Sequence, residues 1–112
     1  MGLLVAAVSP FWFKTPGDAA YCRMEFGAKQ FAAFRCITPN DGFWVRISGR
    51  LYHPGKDVRV TKGYDPRFKG YRERVQVIPF GRTWATSDAE VITCRSRRSG
   101  LTCRHPMSGL AF

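Results

Sequence analysis

The 112-residue sequence predicts an all-β fold, a small single-domain sandwich or barrel of about seven short antiparallel strands stapled by two local disulfides. Three observations predict it. Short runs in which apolar and polar residues alternate, the period of a half-buried strand, recur along the chain. Clusters of Pro, Gly, Asn and Asp divide these runs, as turns require. Four cysteines, Cys22, Cys36, Cys94 and Cys103, form an even set separated by 14, 58 and 9 residues. The length is that of one domain with one core, and 45% apolar residues with 14% aromatics suffice to fold it despite its charge.

Residues 1–10 hold a six-residue apolar run, 3–8, with no basic residue before it. It is too short for an intact export signal and far too short to span a bilayer. Two readings stand: the remnant of a trimmed export signal, with Met1 and Gly2 foreign to it, or a first strand. The first is favoured.

The domain proper, 11–112, opens on the aromatic knot Phe11, Trp12 and Phe13 and turns at Pro16 and Gly17. Residues 20–26 place Cys22, Met24 and Phe26 on one face and Tyr21, Arg23 and Glu25 on the other, a strand that Gly27 ends. Residues 28–37 are ambiguous: Phe31 and Phe34 have helical spacing, whereas 34–37 reads equally as extended chain, and a strand is expected in the second half. After the turn residues 38–42, the strand 43–52 sets Phe43, Val45 and Ile47 against Trp44, Arg46 and Ser48, with Gly49 marking a bulge. A turn at 53–57, a short basic strand at 58–61 and a loop at 62–70 follow. Residues 71–78 alternate again, Val75 and Val77 opposing Arg72, Arg74 and Gln76. No internal repeat or low-complexity tract appears.

The cysteine spacing lacks the paired C-x2-C knuckles of a zinc ribbon, so disulfides are expected, and with them an oxidising compartment. Of three connectivities, neighbour pairing is chosen because Cys22 with Cys36 and Cys94 with Cys103 each close a short loop. The second pair reads as a stapled hairpin. Val91, Ile92 and Thr93 before the turn, and Leu101 and Thr102 after it, favour extended chain, and a four-residue loop, 97–100, puts Cys94 opposite Cys103. No cofactor is implied.

With these residues laid out, the chain resembles a family of small secreted proteins, mostly actinobacterial, classed as a domain of unknown function. That family opens on F-x-S/T-P-S-G-N-I-x-C and closes on Y/F-G-x-x-W, I-x-C-x-S-x-x-x-G-V/L-T-C and G-H-G-F. Phe13, Thr15, Pro16 and Cys22 fit the opening, and Arg35, Cys36 and Ile37 suit the second cysteine. Phe80, Gly81, Trp84, Ile92, Cys94, Ser96, Gly100, Leu101, Thr102, Cys103, Gly109 and Phe112 fit the close. Gly17, Asp18, Ala19 and Ala20 stand where the family has S-G-N-I, and Leu110 and Ala111 replace its H-G. The resemblance implies secretion, two local disulfides and a compact β domain, and no reaction.

Eighteen Lys and Arg against eight acidic residues give a net charge of +10, which suits an anionic partner. Arg46, Arg50, Lys56, Arg59, Lys62, Arg67, Lys69, Arg72 and Arg74 fall mostly on outward positions of the central strands and their loops, with Trp44, Tyr52, Tyr64 and Tyr71 interleaved. If those strands are neighbours, the arginines make one stripe. Arg97 and Arg98, at a tip between disulfide-fixed strands, extend it. The candidate anion-binding set is therefore Arg46, Arg59, Arg72, Arg74, Arg97 and Arg98, to be weighed against a merely solvated sheet face.

His53 and His105 with Glu73 or Glu90 and an arginine could assemble a small ribonuclease: a base, an acid and a cation for the phosphoryl charge. Each histidine adjoins a proline, and nucleophile-elbow, phosphate-loop and metalloprotease motifs are absent. The expectation is a secreted or envelope-associated, non-catalytic domain that binds an anionic polymer or an acidic protein, with no transmembrane segment. The alternatives are a secreted ribonuclease-like hydrolase and a reduced, cytosolic nucleic-acid-binding module.

Overall fold

A computed structural model describes residues 12–27, 31–52, 57–86 and 91–112. Among them nine strands form two antiparallel meanders in which each strand pairs with the next along the chain. The first sheet runs β1 (Trp12–Lys14), β2 (Tyr21–Phe26), β3 (Ala32–Thr38), β4 (Phe43–Gly49) and β5 (Arg59–Tyr64), and the second β6 (Thr83–Ala85), β7 (Thr93–Arg97), β8 (Gly100–His105) and β9 (Leu110–Ala111). The all-β architecture and both local disulfides are as the sequence predicts.

Alternation decides which face of each sheet is buried. Met24, Phe34 and Ile47 lie side by side on one face of the first sheet, beside the row Phe13, Cys22, Cys36 and Val45. Trp84, Cys94 and Cys103 form the matching row of the second. The two inner faces meet around Phe34, whose ring centroid lies 5.5 Å from that of Trp84, 6.2 Å from Phe112 and 6.3 Å from Phe13. Packing of this kind favours offset or tilted rings at such distances. His105 is fully buried beside this core, and its Nε2–H donates to the Leu51 carbonyl at 2.7 Å, tying the second sheet to the end of the first.

Each sheet opens with the same local device. In the first, Phe13 pairs with Cys22, and two residues after Phe13 the buried Thr15 accepts the Ala20 N–H on its hydroxyl at 3.0 Å. In the second, Trp84 pairs with Cys94, and the buried Thr86 accepts the Val91 N–H at 2.8 Å. The disulfide then joins directly opposed residues of the next two strands in each case. This structural repeat is invisible as a sequence repeat because an aromatic, a threonine and two cysteines are all it shares.

Several expectations are corrected. Segment 71–78 is no strand: it runs extended beside β1, held by Lys14 N–H to Gln76 O and Ile78 N–H to Lys14 O, both 2.9 Å, with a single parallel bridge at Val77. Strand β5 continues through Lys62 to Tyr64, where a loop was expected. The β7–β8 turn has two residues, Arg98 and Ser99, because Arg97 still pairs with Gly100. No bulge forms at Gly49, which ends β4 in regular register at φ 138°, where an added Cβ would meet the Asp57 carbonyl at 2.7 Å. Strands β6 and β9, of three and two residues, are too short to show a period. The readings of residues 1–10, of 28–30 and of His53, Lys56 and Glu90 lie outside the described residues.

Candidate anion-binding face

The outer face of the first sheet carries a row of arginines. Register places Trp12, Arg23, Arg35, Arg46 and Thr61 directly across from one another on β1 to β5. Neighbouring strands lie about 4.8 Å apart, so Arg23, Arg35 and Arg46 start from adjacent backbones and point the same way. Like charges directly opposed across strands destabilise a sheet. One carboxylate offsets them: Glu25 Oε2 accepts from Arg35 at 2.5 Å and from Arg23 Nε and Nη2 at 3.3 Å.

Arg46, the third member, has no hydrogen bond or ion pair within the described residues. Its guanidinium lies 5.9 Å from the ring centre of Trp44, two residues back on the same face. Trp44 in turn lies over Gly63, where any Cβ would meet the indole at 2.6 Å. Arg46 Nε is shielded from solvent without a hydrogen-bond partner, and so is the Thr61 hydroxyl opposite it. Leaving such groups unsatisfied costs on the order of 1–3 kcal/mol each. One row thus holds three guanidiniums and the unsatisfied Thr61 hydroxyl, and the neighbouring row supplies the Glu25 carboxylate.

The strap after β5 forms one wall of this face. Phe68 lies against the Arg35 guanidinium at 5.4 Å, and Tyr71 meets Tyr21 edge to face at 5.1 Å. Tyr21 accepts the Glu73 N–H at 3.2 Å, and Tyr71 donates to the Glu73 carboxylate at 3.1 Å. Burial, then the Glu73 hydrogen bond, raises the Tyr71 phenol above its usual range, so it stays protonated and able to donate. Between strap and sheet lies a cavity of about 130 Å³.

The predicted basic residues scatter over three regions. Arg46 and Arg59 share the outer face of the first sheet, on rows two residues apart. Arg72 and Arg74 sit on the strap, Arg72 within 3.5 Å of Asp18. Arg97 and Arg98 lie at the far hairpin, Arg98 over the Phe80 ring at 5.3 Å. They do not make one stripe, and Lys62 falls on the inner-face row of Val45. Sequence reasoning missed Arg23 and Arg35, the two that join Arg46.

The outer face of the second sheet is built differently. Arg95 lies between Thr83 and Thr102, and Arg104 between Thr93 and Ala111, all on one face with Arg97. No ion pair involves this sheet among the described residues; every one recorded lies within residues 14–72.

His105 faces the core. With Nε2–H given to Leu51, its Nδ1 lies 2.8 Å from the Ser108 hydroxyl, so both ring nitrogens are engaged inside the protein. Among the described residues no three His, Cys, Asp or Glu side chains gather as metal ligands, and no helix is long and apolar enough to cross a membrane. Both cystines are core groups, and no described cysteine is free. Comparison with protein-family models, curated proteins and solved structures gives no match to this chain.

Proposed function

We propose that this chain is an exported, non-catalytic binding domain that grips an anionic polymer of the cell envelope through the outer face of its first sheet. The observation that carries this reading is the row of opposed like charges Arg23, Arg35 and Arg46, in which Glu25 bonds the first two and, among the described residues, Arg46 Nε and the Thr61 hydroxyl have no partner. Such a conflict persists where a ligand resolves it. Two buried disulfides support export. The inward-facing, doubly bonded His105 supports binding over hydrolysis.

The test is retention on immobilised poly(glycerol phosphate), polyglutamate and RNA at low and high salt, comparing the wild type with Arg46→Gln and with Arg95→Gln/Arg104→Gln. The reading expects the phosphate polymer to be held best and Arg46→Gln to lose more than the double variant. A salt slope reduced by about one unit per phosphate contact should accompany that loss. Equal losses would reduce the charge to a general polyanion grip, and a preference for polyglutamate would turn the reading to an acidic protein. RNA cleavage would restore the hydrolase, and four free thiols in freshly isolated protein would restore the cytosolic nucleic-acid module.

A further inference from the structure

The cavity between strap and sheet adjoins the arginine row, and its chemistry narrows what the anion is attached to. Its volume, about 130 Å³, is close to that of an apolar cavity of ~150 Å³ known to take one benzene. Its lining joins the aromatic residues Trp12, Tyr21, Phe68 and Tyr71 to Arg23, Arg35 and Glu73. The walls are set in advance: Tyr21 is held by the Glu73 N–H, Tyr71 by the Glu73 carboxylate, and the two rings brace each other edge to face. Preorganisation of this kind lowers the entropic cost of seating a ligand. An aromatic box alone would suit a quaternary ammonium. Two arginines against one glutamate, whose carboxylate already accepts from Tyr71, leave the lining net positive and reverse that preference.

We propose that the cavity seats one planar ring while Arg23 and Arg35 hold an anionic group attached to that ring, so that the ligand class is an aryl phosphate or aryl carboxylate. This inference rests on the anion-binding reading of the same face. The ring supplies apolar burial that a bare phosphate lacks, and the guanidinium fork supplies the paired N–H donors that phosphate and carboxylate accept. Glu25 is the internal competitor, already occupying Arg23 and Arg35.

The experiment titrates the intact, oxidised protein with phenyl phosphate, inorganic phosphate and benzyl alcohol, following the Trp12 indole and the Arg23 and Arg35 Nε–H resonances by NMR. Phenyl phosphate is expected to bind at least about tenfold more tightly than inorganic phosphate, a difference of about 1.4 kcal/mol, and to move the indole and guanidinium signals together. Trp12→Ala, at a half-exposed edge position, should bring phenyl phosphate down to the affinity of inorganic phosphate and leave the latter unchanged. Glu25→Gln should tighten both several-fold. Equal affinity for phenyl phosphate and phosphate would overturn the ring site while sparing the anion-binding face. Binding of benzyl alcohol as tightly as phenyl phosphate would overturn the part given to the arginines. Failure of both anions to move the guanidinium signals would overturn the face itself.

Discussion

The two sheets share one device and diverge in what it does with charge. In each, an aromatic residue, a buried threonine and a cross-strand cystine build the inner face. On the first sheet the sequence reads Cys22-Arg23 on one strand and Arg35-Cys36 on the next; on the second it reads Cys94-Arg95 and Cys103-Arg104. Antiparallel pairing of the cysteines then sets Arg23 opposite Arg35, but Arg95 opposite Thr102 and Arg104 opposite Thr93. Whether the arginine precedes or follows its cysteine decides if two guanidiniums converge or stand apart on either side of the bridge. The converged pair draws in Glu25, gains Arg46 and is walled by the strap; the dispersed pair stays solvated.

The largest test of the shared frame is Phe34→Ala, because that ring touches Phe13, Trp84 and Phe112 and so belongs to both sheets. A loss of about 3–5 kcal/mol in urea unfolding is expected, as a single cooperative transition. Two separate transitions would show that the sheets are independent units. Removing the cystines one at a time comes next. Closing a 14-residue separation restricts the unfolded chain by about 3 kcal/mol and a 9-residue one by about 2.5 kcal/mol. Cys22→Ala/Cys36→Ala and Cys94→Ala/Cys103→Ala should therefore cost nearly the same, despite the unequal sizes of the sheets.

A register exchange sharpens the contrast in charge. Thr102→Arg/Arg104→Thr moves one arginine two positions along β8 and sets it opposite Arg95. The exchange should cost roughly 0.2–1 kcal/mol of stability, the range for cross-strand pairs, and should raise phosphate affinity at the second sheet, read from the chemical shifts of β7 and β8. Arg46→Met works in the other direction on the first sheet. It removes a like charge and a shielded, unpartnered Nε, so stability should hold or rise by up to about 1 kcal/mol while phosphate affinity falls.

Much of this was legible before the structure. Period-two alternation placed β2 and β4 on their correct faces, since one buried face leaves little freedom of register, and extended-chain residues around the pairing of Cys94 with Cys103 located the hairpin. The row Arg23–Arg35 was legible too: once Cys22 is joined to Cys36 across antiparallel strands, their inner neighbours must face each other. Segment 71–78 alternates as a strand does, yet its partner is the short edge β1, and a single bridge is all that forms. Strands of two or three residues carry no period, so β6 and β9 could be found only through the sheet they complete. The scatter of Arg72, Arg74, Arg97 and Arg98 follows from strand order, which local pattern does not encode.

The smallest effect separates, by pH, the charged from the neutral part of the first sheet's opening corner. Asp18 sits beyond β1 at φ 57°, a left-handed conformation that Asp and Asn tolerate, and its carboxylate meets Lys14 at 2.8 Å and Arg72 at 3.5 Å. The Lys14 hydrogen bond, above all, holds the Asp18 carboxyl below its usual range and, reciprocally, raises Lys14. A lowered folded-state pKa means that the pair's contribution is complete above about pH 3.9, the value for an unperturbed aspartate, and is lost as pH falls through the lower folded value. For Lys14 the sign is opposite: its contribution is present below its ordinary pKa and disappears as pH rises through the elevated one. Asp18→Asn keeps the backbone conformation and removes the charge, so its Tm should lie below that of the wild type at pH 6 and converge with it near pH 2. Because the pair is solvent-exposed, salt should shrink the difference at pH 6. The same corner also holds the neutral, buried Thr15 hydroxyl, the counterpart of Thr86 in the second sheet, and Thr15→Ala should lower Tm by an amount independent of both pH and salt. A pH-dependent Thr15→Ala deficit, or a pH-independent Asp18→Asn one, would mean that the hydroxyl and the carboxylate do not act separately at this corner.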